Sequence, residues 1–348
     1  MIAFVTGSTG MLGHNLTRQL LEAGWTVRAL VRSPKKAAQL FQGLNLEVIE
    51  GDMENVAGFT HALNGVNAMF HTAAYFREYG GRDPQEWATL KRINIDATLE
   101  LLEVAERAGV KSFVNTSSSG TIGVKPGNAP GDERTPADAR QLRNKYFQSK
   151  VDGDIAVQRW LETPRAIKVV TVKPGWMFGP RDAGPTGAGG LVLQFLHREL
   201  PGIMDAGSSV ADPRDVAAAM IAGAERGHSG ETYAVAGRYA SVEQIMLTLE
   251  RVSGVRSPTM RLPQFLLETL ARADELRARL TNTPVRLPLI GIQTLHLKRG
   301  VDSGKAVREL GATFRPLEET LRDTVAWFRD NGYVKGAGIT SSGDARRV

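Results

Sequence analysis

Three glycines set between a strand and a helix limit this chain more than any other feature. Residues 5–13 read VTGSTGMLG, so Gly7, Gly10 and Gly13 follow the apolar run IAFVT (2–6) and open the helical pattern MLGHNLTRQLLEAG. Without Cβ atoms the backbone there can approach another group closely, and the helix start offers free N–H groups at the positive end of its dipole. The spacing is G-x-x-G-x-x-G, a departure from the commoner G-x-G-x-x-G, and a plain glycine-rich turn is the alternative use. The strand–turn–helix setting favours binding of a dinucleotide pyrophosphate by Gly7, Thr9, Gly10, Met11, Leu12 and Gly13.

The first half repeats that unit. IAFVT (2–6), TVRALV (26–31), LEVIE (46–50), NAMFHT (67–72), SFVNTS (112–117) and KVVTVK (168–173) read as strands, mostly apolar on both faces. Between them lie helical patterns, among them EWATLKRINIDATLELLEVAERAG and ADARQLRNKYFQSKVDGDIAVQRWLE. Strand alternating with helix predicts an α/β fold, a Rossmann-type doubly wound parallel sheet. After Pro174 the pattern loosens into GPRDAGPTGAGG, a helix bounded by prolines within 262–291, and a final helix within 316–333. The expected division is a dinucleotide-binding domain over 1–175, to which 207–225 returns, and a smaller, discontinuous substrate domain over 176–206 and 226–333. Residues 334–348, small and polar, are expected to be a disordered tail.

Composition removes several function classes. The 43 Lys and Arg exceed the 37 Asp and Glu by six, spread along all 348 residues. No basic run is interleaved with aromatics, so nucleic acid is not an expected partner. The absence of cysteine removes thiolate catalysis, thiolate metal sites and disulfides, and fits the cytoplasm. No metal site is expected. MIAFVTGSTG lacks a basic leader before its short apolar stretch, and no run of about 18 apolar residues occurs, so neither a signal peptide nor an integral membrane segment is expected.

The end of the second strand selects the dinucleotide. Folds that bind a ribose diol carry an acid about 20 residues past the glycines. Here the chain reads ALVRSPKKAAQ, with Arg32 in that place and Lys36 behind it. A guanidinium and an ammonium pair with a 2′-phosphate, so NADP(H) is expected, with NAD(H) and a merely solvated helix start left open. Asp52 and Met53, after the third strand, are expected to flank the adenine; Asp52 could equally cap the next helix.

The fifth strand ends in NTSSSGTIG, on the edge where open α/β sheets hold their ligands, although serines also simply make turns. Tyr146 and Lys150, in YFQSK, stand four apart and share a helix face. With TGSTGMLG, GDM, HTAA, NIDAT, TSSSGT, YFQSK and VKPGWMFGP in this order, the chain from Met1 to about Gly179 resembles the extended short-chain dehydrogenase/reductase superfamily. DPRDVAAAM (212–220) and residues 302–333 are similar to dihydroflavonol-reductase-like, 3β-hydroxysteroid-dehydrogenase-like and hopanoid-associated bacterial members.

That resemblance implies an NAD(P)-dependent oxidoreductase acting on a ketone, aldehyde or secondary alcohol. Tyr146 is then the general acid or base, Lys150 tunes it and binds the nicotinamide ribose, and Ser118 holds the substrate oxygen, with Ser117 and Ser119 as alternative registers. Ala73, Ala74, Asn94, Thr116, Pro174, Gly175 and Met177 are implied beside the cofactor. Tyr75, Phe76, Ser119, Trp176 and Phe178 are implied around the substrate, favouring an apolar one, though core packing is the default use of aromatics. The alternatives are a nucleotide-sugar epimerase with tightly held NAD and a non-catalytic NADP-binding sensor. The resemblance also implies a homodimer. The helix at 264–280 could serve as a cap over the pocket, a packing face or a peripheral membrane contact.

Overall fold

The structure, a computed structural model, describes residues 1–76, 84–281, 283, 285 and 287–334. The expected tail therefore lies outside the described residues beyond Val334. The chain runs β1 (Ile2–Thr6), α1 (Met11–Glu22), β2 (Thr26–Val31), α2 (Pro34–Leu40), β3 (Glu47–Glu50), β4 (Ala68–His71), α3 (Pro84–Lys91), α4 (Ala97–Arg107), β5 (Ser112–Thr116), α5 (Lys145–Trp160) and β6 (Lys168–Pro174). It continues with β7 (Trp176–Met177), α6 (Gly187–Leu196), β8 (Gly207–Ala211), α7 (Pro213–Arg226), β9 (Thr232–Val235), β10 (Arg238–Ser241), α8 (Val242–Ser253), α9 (Gln264–Thr281), α10 (Leu289–His296), α11 (Gly304–Leu310) and α12 (Leu317–Asp330).

Seven strands pair in the order β9-β6-β5-β4-β1-β2-β3, every neighbour parallel. This is the expected doubly wound sheet. Successive residues of a strand point to opposite faces, so both faces must be apolar when helices cover both. Val5 accordingly packs with Leu12, Leu16 and Leu20 of α1 and Val216 and Met220 of α7, while its neighbour Phe4 packs with Leu101 and Leu102 of α4 and Val157 and Trp160 of α5.

Beyond β6 the chain is divided more finely than its composition suggested. Thr232–Val235, inside a range expected to serve substrate binding, hydrogen-bonds to β6 as an edge strand of the main sheet. Its Tyr233, Ala234 and Val235 are fully buried, which is why four residues suffice. Residues 207–211, expected to return to the dinucleotide domain, form β8 between β7 and β10 in a separate three-stranded sheet. α7, which follows, packs against α1. The second core joins Phe178, Phe195, Ile245, Leu249, Leu321 and Phe328.

The helix pattern around YFQSK is shorter than its apolar spacing implied. Gln141–Arg143 is a single 3₁₀ turn, and α5 starts at Lys145 because the Asn144 side chain accepts from the backbone N–H of Tyr146 at 3.0 Å. Tyr146 thus stands in the first turn. α9 buries Leu267 and Ala271 with Leu262 and Ile292, and exposes Phe265, Leu276 and Leu280. Among the described residues no helix is long and apolar enough to cross a membrane.

Gly175 is where the chain leaves the main sheet for the three-stranded one. A Cβ there would overlap the carbonyl oxygen of Ala236 and stand 2.8 Å from that of Ser209. Gly175→Ala should therefore destabilise the fold by about 1–3 kcal/mol through overpacking. Urea unfolding checks this; an unchanged midpoint contradicts the crossing described here.

Candidate active site

All seven parallel strands end on one edge, and the order reverses between β1 and β4. Ligands of such sheets bind at that switch. The glycine-rich turn lies there. Gly7 has φ +66°, and a Cβ on it would stand 2.6 Å from the backbone nitrogen of Ala73, after β4. A Cβ on Gly13 would overlap the carbonyl oxygen of Gly7, which also accepts from Gly10 N at 2.9 Å. Gly10 caps α1 without any side-chain acceptor, so the first N–H groups of the helix are open to a ligand. Met11 and Leu12 are buried beneath them.

Beside the turn, Thr9, Arg32, Ser33 and Lys36 line a cleft of about 320 Å³, with no carboxylate in its wall among the described residues. Ser33 caps α2 by accepting from Lys36 N, which holds the wall in place. Asp52, after β3, accepts from Glu54 N at 3.0 Å and so makes its own turn rather than a helix cap. Met53, expected by the adenine, is buried in the core with Phe59 and Leu30.

The Lys150 ammonium reaches across the end of β5 and donates to the carbonyl oxygen of Thr116 at 2.8 Å. It lies 5.9 Å from the centre of the Tyr146 ring, one turn back on the same helix. The Phe76 and Tyr146 rings meet T-shaped at 4.7 Å between centroids, and the Phe147 ring lies 5.9 Å from that of Tyr146. Ser118 is half-buried and accepts from Gly120 N at 3.0 Å, capping the turn Ser119–Thr121 with a lone pair. Its hydroxyl proton stays available for donation. Ser117, the alternative register, is buried with its hydroxyl inside the fold, as strand alternation from Thr116 requires.

Burial governs the charges here. It pushes the Tyr146 phenol above its ordinary value, and Asp154 adds to the rise. It lowers the Lys150 ammonium from 10.5 to about 8, and the Asp154 carboxylate opposes that fall. Asp154 is held in turn by Lys173 of β6 at 2.9 Å. Tyr146, Lys150 and Asp154 recur every four residues and so share one face of α5.

The remaining expected residues divide sharply. Asn94 does not present its amide to the cleft. Its oxygen accepts from Tyr75 N, and its nitrogen donates to Tyr75 O and to Ser149 Oγ. It sits in the π-helical segment Arg92–Asp96, and ties the chain carrying Ala73, Ala74 and Tyr75 to α5. Pro174 ends β6 and Met177 pairs beside Ala211. Phe178, expected around the substrate, is 1% exposed and packs in the second core, its ring T-shaped to that of Trp176 at 4.6 Å between centroids. Ser119 is half-buried in the serine turn.

Several contributors were not picked out from the sequence. His71 is fully enclosed between the hydroxyls of Thr6 (2.7 Å) and Thr98 (3.2 Å), and burial, then Lys150, lowers it to about 3, so it is neutral. Gln141 donates to the carbonyls of Gly120 and Ile122. No local signal marks either one, because their partners are distant in sequence. Asp154 was findable, one further step along the Tyr146–Lys150 stripe. Among the described residues no group of three or more His, Asp or Glu could hold a metal.

A model of the NAD dependent epimerase/dehydratase family matches residues 3–236, from β1 to just past β9. The chain belongs to this family. It is 33% identical over 337 residues to the "Putative dihydroflavonol 4-reductase" of Synechocystis sp., covering 95% of this chain and 96% of that one. It is 34% identical over 339 residues to the sterol demethylase protein B of Methylococcus capsulatus, covering 96% and 100%. The crystal structure of gox2253 superposes with a TM-score of 0.80 at 30% identity, covering 96% and 99%. As a member of the extended short-chain dehydrogenase/reductase type, the epimerase/dehydratase-family chain is an NAD(P)-dependent enzyme.

The residues present fit a nicotinamide dinucleotide, because the close-packed turn aims the start of α1 at the strand ends with no side-chain cap on its first N–H groups. Lys150 gives the site a pH signature of its own. Its folded value lies below its unfolded one, so between pH 8 and 10.5 the unfolded chain binds more protons and stability rises with pH. The burden of the buried ammonium is complete below pH 8. Relative to Lys150→Met, the wild type should therefore gain stability as pH rises from 8 toward 10.5, and Asp154→Asn should start that gain at lower pH. Urea unfolding across the range checks it, and a constant difference would contradict it.

Proposed function

We propose that this chain is an NADP(H)-dependent reductase of ketones or aldehydes, or dehydrogenase of the matching secondary alcohols, working through Ser118, Tyr146 and Lys150. The observation that carries the reading is the Lys150 ammonium beside the Tyr146 ring at the end of β5, with the unused hydroxyl proton of Ser118 on the adjoining turn. The nicotinamide, when bound, supplies or takes the hydride.

In the reductive direction Tyr146 gives its phenolic proton to the substrate oxygen, and the O–H bond of the alcohol forms as that of the phenol breaks. A buried phenol resists losing its proton, so the ammonium of Lys150 offsets part of that resistance by favouring the phenolate. Ser118 donates a hydrogen bond to the same oxygen and fixes its distance from Tyr146. The Phe76, Tyr146 and Phe147 rings together supply an apolar wall, which favours an apolar group next to the reacting carbonyl.

The cleft of Thr9, Arg32, Ser33 and Lys36 supports NADP(H) over NAD(H), since two cations and two hydroxyls suit a 2′-phosphate. The same cleft weighs against an epimerase with tightly held NAD. Release of NAD on denaturing the purified protein would favour the epimerase instead.

Two measurements test the reading. Tyr146→Phe should lose at least about a hundredfold in turnover of a panel of ketones and aldehydes with NADPH while still binding NADPH; equal turnover sinks the mechanism. Arg32→Ala should weaken NADPH by roughly tenfold or more, the worth of a hydrogen bond to a charged group, and leave NADH within about twofold. Equal losses for both cofactors would remove the case for NADP(H).

A further inference from the structure

Arg299 is 6% exposed, and among the described residues its hydrogen bonds go to backbone carbonyls and it makes no ion pair. Burying a guanidinium without a counter-charge costs free energy unless its donors are used. Burial lowers it to about 10; Asp138 alone opposes that fall, and its carboxylate already accepts from the N–H groups of Arg140 and Gln141. Among the described residues the Nε of Arg299 has no hydrogen-bond partner. What the side chain does hold is the serine turn. Nη1 donates to the carbonyl of Ile122 at 3.1 Å and to that of Ser119 at 3.4 Å.

The turn is gripped from other sides too. Gln141 donates to Gly120 O at 3.0 Å and to Ile122 O at 2.8 Å. The Phe147 ring presses on Gly120, where a Cβ would overlap it, and the Arg299 guanidinium lies 5.5 Å from the centre of that ring. Phe147 directly follows Tyr146, so one cation touches both the turn carrying Ser118 and the ring beside the proposed acid. Arg299 itself comes from far along the chain. Its segment bridges to Ser208 of β8, and the Ser209 hydroxyl accepts from Val301 N at 2.9 Å, so the three-stranded sheet fixes it.

We propose that Arg299 is the positioning residue of the serine turn: held by the second sheet, it sets the carbonyls of Ser119 and Ile122 and thereby the place of the Ser118 hydroxyl relative to Tyr146. Its contribution to turnover rests on the reading of Ser118 given above; its hold on the turn does not. Arg299 also belongs to the wall of a cleft of about 390 Å³ that includes Val124, Asn128, Gln264 and His296. The anchor of the serine thus stands at the junction of the two parts of the chain.

The test uses the full chain with NADPH bound and two readouts. In Arg299→Met, amide hydrogen exchange over residues 118–123 should quicken by about tenfold or more, while that over 7–13 stays unchanged. Turnover of the best compound in the carbonyl panel should fall by about tenfold to a hundredfold, as displaced groups cause, with NADPH affinity within about twofold. In the Ser118→Ala background the same substitution should cost almost nothing further, because Arg299 acts through Ser118. Arg299→Lys should recover part of the loss. Unchanged exchange at 118–123, or a loss that persists in full without Ser118, overturns the proposal.

If Arg299→Met does not fold, Arg299→Lys decides by the same cycle. A loss that vanishes in the Ser118→Ala background supports the proposal and one that persists overturns it. If Ser118→Ala alone leaves turnover intact, the catalytic reading of Ser118 fails, while the exchange result still judges the anchor.

Discussion

The close approach between the turn after β1 and the backbone after β4 is the contact on which the site depends. Gly7 N–Cα–C passes so near Ala73 that a methyl group would stand 2.6 Å from its nitrogen, and the start of α1 folds back onto Gly7 O at Gly13. Any side chain at either place pushes the helix start away from the strand ends. The helix would then lose its aim at the switch point, where a dinucleotide binds in such sheets. The same approach brings the segment 72–76 to the edge, where Phe76 meets Tyr146.

A chain of buried polar contacts fixes that segment from beneath. Thr6 links to His71, His71 to Thr98, Thr98 to Asn94 O, and Asn94 to Tyr75 and Ser149. Ser149 closes the chain on Tyr146 O at 2.8 Å. Each member has a partner, which is the condition under which a buried polar network specifies a structure rather than weakening it. A neutral His71 suits the position, since a second cation below Lys150 would lower the ammonium further. Asp154 and Lys173 act oppositely: the carboxylate supports Lys150, and Lys173 holds that carboxylate in an ion pair at 2.9 Å.

What was legible in the sequence was local. The glycine turn, the strand–helix alternation and the Tyr146–Lys150 spacing each sit within a few residues, where period and geometry speak directly. Asn94 shows the limit, because a motif places it near the cofactor segment and only the fold reveals that its amide holds Tyr75 and Ser149. Phe178 shows another, since a large aromatic reads the same in a pocket and in a core. β9 escaped because TYAV is too short for periodicity, and its burial on both faces comes from distant helices. The start of α5 was readable in principle, for Asn144 is a capping residue type that apolar spacing ignores.

The two parts of the chain answer different physical demands. The parallel sheet needs continuous apolar strands on both faces, so it leaves a strong pattern and a nearly fixed set of loop ends. The second part is assembled from short strands and helices whose partners lie far apart in sequence, such as Phe178 against Phe328. Arg299 and Gln141 belong to that second logic although they grip a turn of the first. A hydroxyl that must stand within hydrogen-bonding reach of a substrate oxygen cannot be left to a mobile loop. Holding three carbonyls of its turn from two distant segments leaves that loop little freedom, and it makes the placement of Ser118 a property of the whole fold rather than of TSSSGT alone.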